Sequence, residues 1–89
     1  MQIRTLKVVE YKGANVYLRN FGTTFEYLAV VKGQLYGSHI TITRTPTQRL
    51  LGRDYTEKQL VDVCKVLTNM ATATVDYVLA NPEPPVPKA

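Results

Sequence analysis

One cysteine, one histidine, one serine and no tryptophan stand among the 89 residues, and each scarcity removes a class of function. A single Cys64 can form no intrachain disulfide, so no covalent staple helps the fold. One cysteine and one histidine give no cluster with metal-ligand spacing, and no metal or cofactor is expected. Ser38 and His39 are neighbours. On a strand they would point to opposite faces and could not act on one substrate atom. No Gly-rich loop leads into a helix as a phosphate cradle would. Acids are few: Glu10 and Glu26 are isolated, and Asp54, Glu57 and Asp62 gather where a helix begins. There a first-turn carboxylate complements the helix dipole more simply than it serves catalysis. The chain is therefore expected to be non-enzymatic, with no catalytic residues. No apolar run is long enough to span a bilayer and no signal-peptide pattern opens the sequence, so a cytoplasmic location is expected.

What is present is a long amphipathic segment between Tyr55 and Pro82. Thr56 is suited to cap a helix N-terminus, and Gln59 three residues on completes a T-x-x-Q capping box. Tyr55 and Leu60 are spaced for a hydrophobic staple across that cap. Asn81 can take a left-handed C-cap, and Pro82 cannot continue the ladder. At 100° per residue Lys58, Asp62, Lys65, Asn69, Thr72 and Asp76 form one polar stripe. Leu60, Val63, Cys64, Leu67, Met70, Ala71, Thr74 and Val78 lie opposite. Val61, Val66, Val75, Tyr77 and Leu79 widen the apolar arc to roughly 220°, about twice what one sheet face requires. A chain of this length buries little more than 60% of its unfolded surface, and oligomerisation is a common remedy. These five flank residues are accordingly the expected homodimer interface. Cys64, on the apolar side, reads as a small core hydrophobe.

Ahead of the helix lie four strand-like runs: Ile3–Tyr11, Val16–Arg19, Phe25–Val31 and Leu35–Thr43. Turn residues separate them at 12–15, at 20–23 and at Lys32-Gly33. Short connections favour a meander, so the predicted fold is α+β, β-β-β-β-α, with a single domain over 1–81. Residues 45–54 are expected to form a loop with a short extended piece at Arg49-Leu50-Leu51. Residues 82–89 hold four of the five prolines and are expected to be an extended, disordered tail, either a frayed terminus or a polyproline ligand. In the first strand Ile3 and Val9 run out of phase with Leu6 and Val8, which predicts a bulge or cover on both faces.

Alternation then assigns faces. The aliphatic set Val16, Leu18, Leu28, Val30, Ile40 and Ile42 is expected under the helix. The opposite face would carry Tyr17, Arg19, Phe25, Tyr27, His39, Thr41 and Thr43. Aromatic rings among basic and hydroxyl groups suit single-stranded DNA or RNA, with bases stacked on the rings and phosphates held by Lys7 and Arg19. The same pairs also stabilise any open antiparallel sheet, and the same face could bury itself in a dimer. Net charge is +4. Arg44, Arg49 and Arg53 cluster in the loop before the helix, where they could meet phosphate or simply be solvated. The expected nucleic-acid set is thus Lys7, Tyr17, Arg19, Phe25, Tyr27, Arg44, Arg49 and Arg53.

The run Gly52-Arg53-Asp54-Tyr55-Thr56-Glu57-Lys58-Gln59-Leu60 is a strand end entering a capped helix. With the element order, it is similar to the single-stranded DNA-binding transcriptional coactivators of the positive-cofactor-four type, which are sheet-plus-helix dimers. That resemblance covers the order of elements and implies no sites. The expected function is a small homodimeric module binding single-stranded nucleic acid. A protein–protein module (regulator, adaptor or phage-type inhibitor) and a purely structural subunit stand as alternatives.

Overall fold

Three two-residue turns set the geometry of the sheet. In the computed structural model, which describes residues 3–81, β1 (Arg4–Tyr11), β2 (Ala14–Phe21), β3 (Thr24–Val31) and β4 (Gln34–Thr41) form one antiparallel sheet in the order β1-β2-β3-β4. Lys12 and Lys32 sit at φ 50°, followed by Gly13 at 82° and Gly33 at 76°. Positive φ at both positions is the requirement of a type I′ turn, whose twist matches that of the flanking strands. Each strand is eight residues long. The second strand starts at Ala14 and ends at Phe21, so it is longer at both ends than its alternating core suggests. The irregularity expected in the first strand is present: the β1–β2 register shifts between Thr5 and Lys7, leaving Leu6 as the extra residue.

Two helices follow, α1 (Pro46–Leu50) and α2 (Glu57–Ala80), with α2 packed on the sheet. The fold is α+β, as the element pattern predicts. Residues 46–50 correct the expected loop. Thr45 caps α1, its hydroxyl accepting from the Gln48 N–H at 3.2 Å while the Gln48 side chain accepts from the Thr45 N–H at 2.9 Å. Pro46 occupies the first helical position, where its missing N–H costs nothing. The same box recurs at α2, with Thr56 and Gln59 at 3.2 and 2.8 Å. The two boxes touch: Gln48 Nε2 donates to Gln59 Oε1 at 2.7 Å and so ties the helix starts together. At the other end Asn81 is not left-handed; it lies at φ −117°, ψ 83°. Its side-chain amide donates to the Tyr77 carbonyl at 2.7 Å and closes the last turn instead. Residues 82–89, and the expected tail with them, lie outside the described residues.

The core is one row of α2 against one face of β2 and β3. Val63, Leu67, Ala71 and Val75 are buried at four-residue intervals, so a single stripe of the helix faces the sheet. Against them lie Val16 and Leu18 from β2, and Phe25, Tyr27, Ala29 and Val31 from β3. The helix runs chiefly over β3, with β2 and β1 beside it. Tyr55 closes one end, its ring edge-on to Phe25 at 5.0 Å and its hydroxyl donating to the Ile42 carbonyl. That burial pushes the Tyr55 phenol pKa upward.

This corrects the face assignment of β3. Phe25 and Tyr27 belong to the core, whereas Leu28 and Val30 lie on the open face with Tyr17. The Gly22-Thr23 turn pairs Leu18 with Tyr27 and Val16 with Ala29, and paired residues share a face. The phase of Leu28 and Val30 also carries Thr24 and Glu26, whereas that of Phe25 and Tyr27 is apolar throughout, so alternation within the strand already favours the observed face.

Candidate interaction surfaces

The face of the sheet away from α2 is uncovered among the described residues. Its rows follow from the register. Thr5, Arg19, Glu26 and His39 form one row; Val8, Tyr17, Leu28 and Gly37 the next; Glu10, Asn15, Val30 and Leu35 the third. One apolar row therefore sits between a polar one and a mixed one whose apolar half is Val30 and Leu35. Val8 is 57% exposed and Leu35 64% exposed, and Tyr17 lies between them at 36%. Gly37 is fixed by its neighbours: a Cβ there would stand 2.7 Å from the Tyr27 carbonyl oxygen and 3.0 Å from Leu28 Cδ2.

Arg19 is not free on this face. Its guanidinium donates to Glu26 Oε1, with Nε at 2.8 Å, in a cross-strand pair that cancels both charges. A phosphate would have to displace that carboxylate.

The remaining expected nucleic-acid residues scatter. Phe25 and Tyr27 are 0% and 4% exposed. The Tyr27 hydroxyl bonds Thr74 Oγ1 at 2.6 Å, and because Thr74 gives its own proton to the Met70 carbonyl, Tyr27 is the donor. Neither ring can stack on a base. Lys7 pairs with Leu18 and so lies on the α2 side of the sheet, opposite to Tyr17 and Arg19. Arg44 is half-buried and donates to the Arg53 carbonyl at 3.0 Å, while Arg49 and Arg53 are exposed. Arg4 adds a fourth guanidinium to this end of the molecule, bound to Asp54 at 2.9 Å and to Asn20 at 3.0 Å. The Arg4 bond, aided by the Tyr55 N–H, holds the Asp54 carboxyl below the ordinary range. A pocket of about 370 Å³ opens here, lined by Arg4, Asn20, Thr23, Arg44 and Asp54. Only Arg4 is paired with an acid here, Asp54; Arg44 is bound to a backbone carbonyl, and this end of the molecule keeps a net positive charge.

The helix flank is likewise divided. Val75 is fully buried and Leu79 packs against the core, so neither belongs to an exposed interface. Val61, Val66 and Tyr77 are exposed. At 100° per residue Val66 and Tyr77 lie about 140–160° around the helix from Val61. They are two separate flanks, and no single apolar patch joins them.

On the Val61 flank, α2 and β1 diverge to leave a groove of about 620 Å³. Leu6, Leu60, Val61 and Cys64 form its apolar part, and Lys7, Lys65 and Glu57 stand at its rim. Leu6 points into it because of the β1 bulge, a placement that composition alone does not reveal. Burial raises the Cys64 thiol pKa, opposed by the nearby Lys7 ammonium, so the thiol is not activated.

Among the described residues no group of three His, Cys, Asp or Glu could hold a metal ion, and no helix is long and apolar enough to cross a membrane. Comparison with family models, curated proteins and solved structures finds no match to this chain.

Proposed function

We propose that the protein is a non-enzymatic protein–protein interaction module that self-associates through its open sheet face. The observation that supports this is the uncovered apolar band of Val8, Tyr17, Leu28, Val30 and Leu35, beside which Arg19 is already paired with Glu26. Four strands of eight residues give a face of about 26 by 19 Å, a flat footprint on the order of 500 Å² per copy. Side-chain relief enlarges that area, which brings two copies above the roughly 1,000 Å² that a specific interface needs. Two such faces pack as a β-sandwich, at about −30° and about 10 Å apart. A second copy is the simplest occupant. It brings a band of the same shape.

The observations favour this over nucleic-acid stacking. Of the rings proposed as a platform, only Tyr17 lies on the open face, and its neighbour Arg19 is held by Glu26. Size-exclusion chromatography with light scattering, run over a concentration series, tests the assignment. The wild type should approach twice the 10.0 kDa chain mass, and Leu35→Glu should return it to the monomer. A wild type that stays monomeric at hundreds of micromolar overturns the proposal. A labelled single-stranded oligonucleotide belongs in the same runs. Salt-sensitive binding that Tyr17→Ala abolishes would assign the face to nucleic acid instead.

A further inference from the structure

We propose that the groove between β1 and α2 is a docking site for an acidic peptide in extended conformation, added as a fifth strand to the free edge of β1. The site is separate from the open sheet face, and the proposal does not depend on that face.

Three observations converge on it. First, β1 is an edge strand, and among the described residues no backbone group outside the sheet bonds to it. Its outward N–H and C=O groups form an unfilled ladder on either side of the bulge at Leu6. Second, α2 runs alongside that edge in the same direction. Arg4 meets Asp54 just before α2, Leu6 and Lys7 line the groove with Leu60 to Asn69, and Tyr11 reaches Asp76. A strand laid along β1 would thus have the helix flank as its second wall, the arrangement by which edge strands and helices together read extended peptides. The groove spans Glu57 to Asn69, about 18 Å of helix, room for roughly five extended residues. Alternate side chains of such a peptide would enter the apolar floor of Leu6, Leu60, Val61 and Cys64.

Third, charge selects the peptide. Lys7 and Lys65 stand on opposite walls, and neither has an ion-pair partner among the described residues. Glu57, in the first turn of α2, is the one acid at the rim. A second copy of β1 is a poorer occupant. In a symmetric antiparallel pairing helix-facing residues oppose helix-facing residues. That face of β1 carries Arg4, Lys7, Val9 and Tyr11, with Glu10 on the other side, so Lys7 would meet no carboxylate from the copy's strand. The proline-rich segment 82–89 is also a poor strand, because four of its eight residues lack the N–H that a ladder needs.

The test is fluorescence anisotropy on the full chain with three labelled octapeptides. One alternates Glu with Val or Leu, one replaces every Glu with Lys, and one is the acidic peptide N-methylated at alternate backbone nitrogens on its ladder edge. The acidic peptide should bind, with affinity falling as salt rises. The lysine version and the N-methylated version should each bind at least tenfold more weakly. The double variant Lys7→Glu/Lys65→Glu should reverse the preference for charge, and its circular dichroism should match the wild type because both residues are exposed. Leu35→Glu, on the open face, should leave peptide affinity unchanged, so failure of the sheet-face dimer and failure of this site read out separately. The proposal is overturned by equal binding of acidic and basic peptides, by indifference to N-methylation, or by no binding at millimolar peptide. It is equally overturned if the lysine reversals change oligomeric state and leave peptide affinity intact.

Discussion

Tyr17 and Tyr27 lie one residue apart from the same row, on neighbouring strands, yet substitution should affect them in opposite ways. Tyr27 is buried under α2, pairs with Leu18 and donates to Thr74. Truncating a core aromatic to alanine costs about 3–5 kcal/mol through lost transfer energy and the cavity left behind. The stranded hydrogen bond adds about 1 kcal/mol. An 89-residue chain has a total stability on the order of 4–13 kcal/mol. Tyr27→Ala should therefore unfold a large fraction of the protein at 37 °C. Tyr27→Phe isolates the hydroxyl and should cost about 0.5–1.5 kcal/mol. Tyr17 touches only cross-strand neighbours on an uncovered face, interactions worth about 0.2–1 kcal/mol each, so Tyr17→Ala should cost about 1 kcal/mol in the monomer.

Urea denaturation followed by far-UV circular dichroism measures both, at two protein concentrations. The Tyr27→Ala loss should be independent of concentration. The Tyr17→Ala loss should grow with concentration, because a self-associating wild type is stabilised by mass action that the variant lacks. Placement of Phe25 and Tyr27 in the core fails if Tyr27→Ala shifts the midpoint no further than Tyr17→Ala does in the dilute samples.

Three further outcomes follow from the geometry. Gly37→Ala should destabilise by about 1–3 kcal/mol, since the new Cβ meets the backbone oxygen of Tyr27 at 2.7 Å and that oxygen cannot move without bending β3; an unchanged thermal midpoint would show the strands to be further apart. Thr45→Ala removes the α1 cap and should cost about 1 kcal/mol; hydrogen exchange should then accelerate at 46–51 before it does in the sheet, and uniform acceleration would contradict a local cap. The lowered pKa of Asp54 contributes stability that is present above its unfolded value of about 3.9 and is lost as pH falls through its lower folded value. Asp54→Asn should accordingly lower the melting temperature at pH 7 and lower it progressively less as pH falls below about 3.9, and an equal drop at every pH would assign the effect to packing.

Elements whose signals are local were legible in the sequence. The α2 start is written in Thr56 and Gln59, and the Lys-Gly turns specify two hairpins outright. Helix α1 carries the same signal in Thr45 and Gln48, with Pro46 added, but five residues are too few for periodicity to draw attention to it. Side assignments were less accessible because they depend on register. For β2 and β3 the paired positions sum to 45, so the turn at Gly22-Thr23 sets which β3 residues face α2, and Thr24 and Glu26 on the opposite phase are the sign of it within the strand. A turn one residue longer would have put Leu28 and Val30 inside. The width of the helix arc had a similar limit. Val75 widens the arc in projection, yet it continues the row of Val63, Leu67 and Ala71 and is buried, while Val61 and Val66 stay out on opposite flanks.

The placement of α2 connects the two surfaces. A helix with its side chains is about 10–12 Å across, whereas four strands span about 19 Å. One helix therefore covers about half of one sheet face and none of the other. It sits chiefly over β3, where Ala29 and Ala71 are both fully buried small residues, and leaves strips beside both edge strands, of which the one at β1 holds the groove. The Leu6 bulge turns one more apolar side chain into that strip. The other deficit is the whole open face, where Val8 and Leu35 meet water although a chain this small has little apolar burial to forgo. The strip is narrow, basic and bordered by a free backbone edge; the open face is broad and largely apolar, with Arg19 paired to Glu26. They lie on opposite sides of the sheet, so a charge placed at Leu35 should break the one assembly and leave the groove intact.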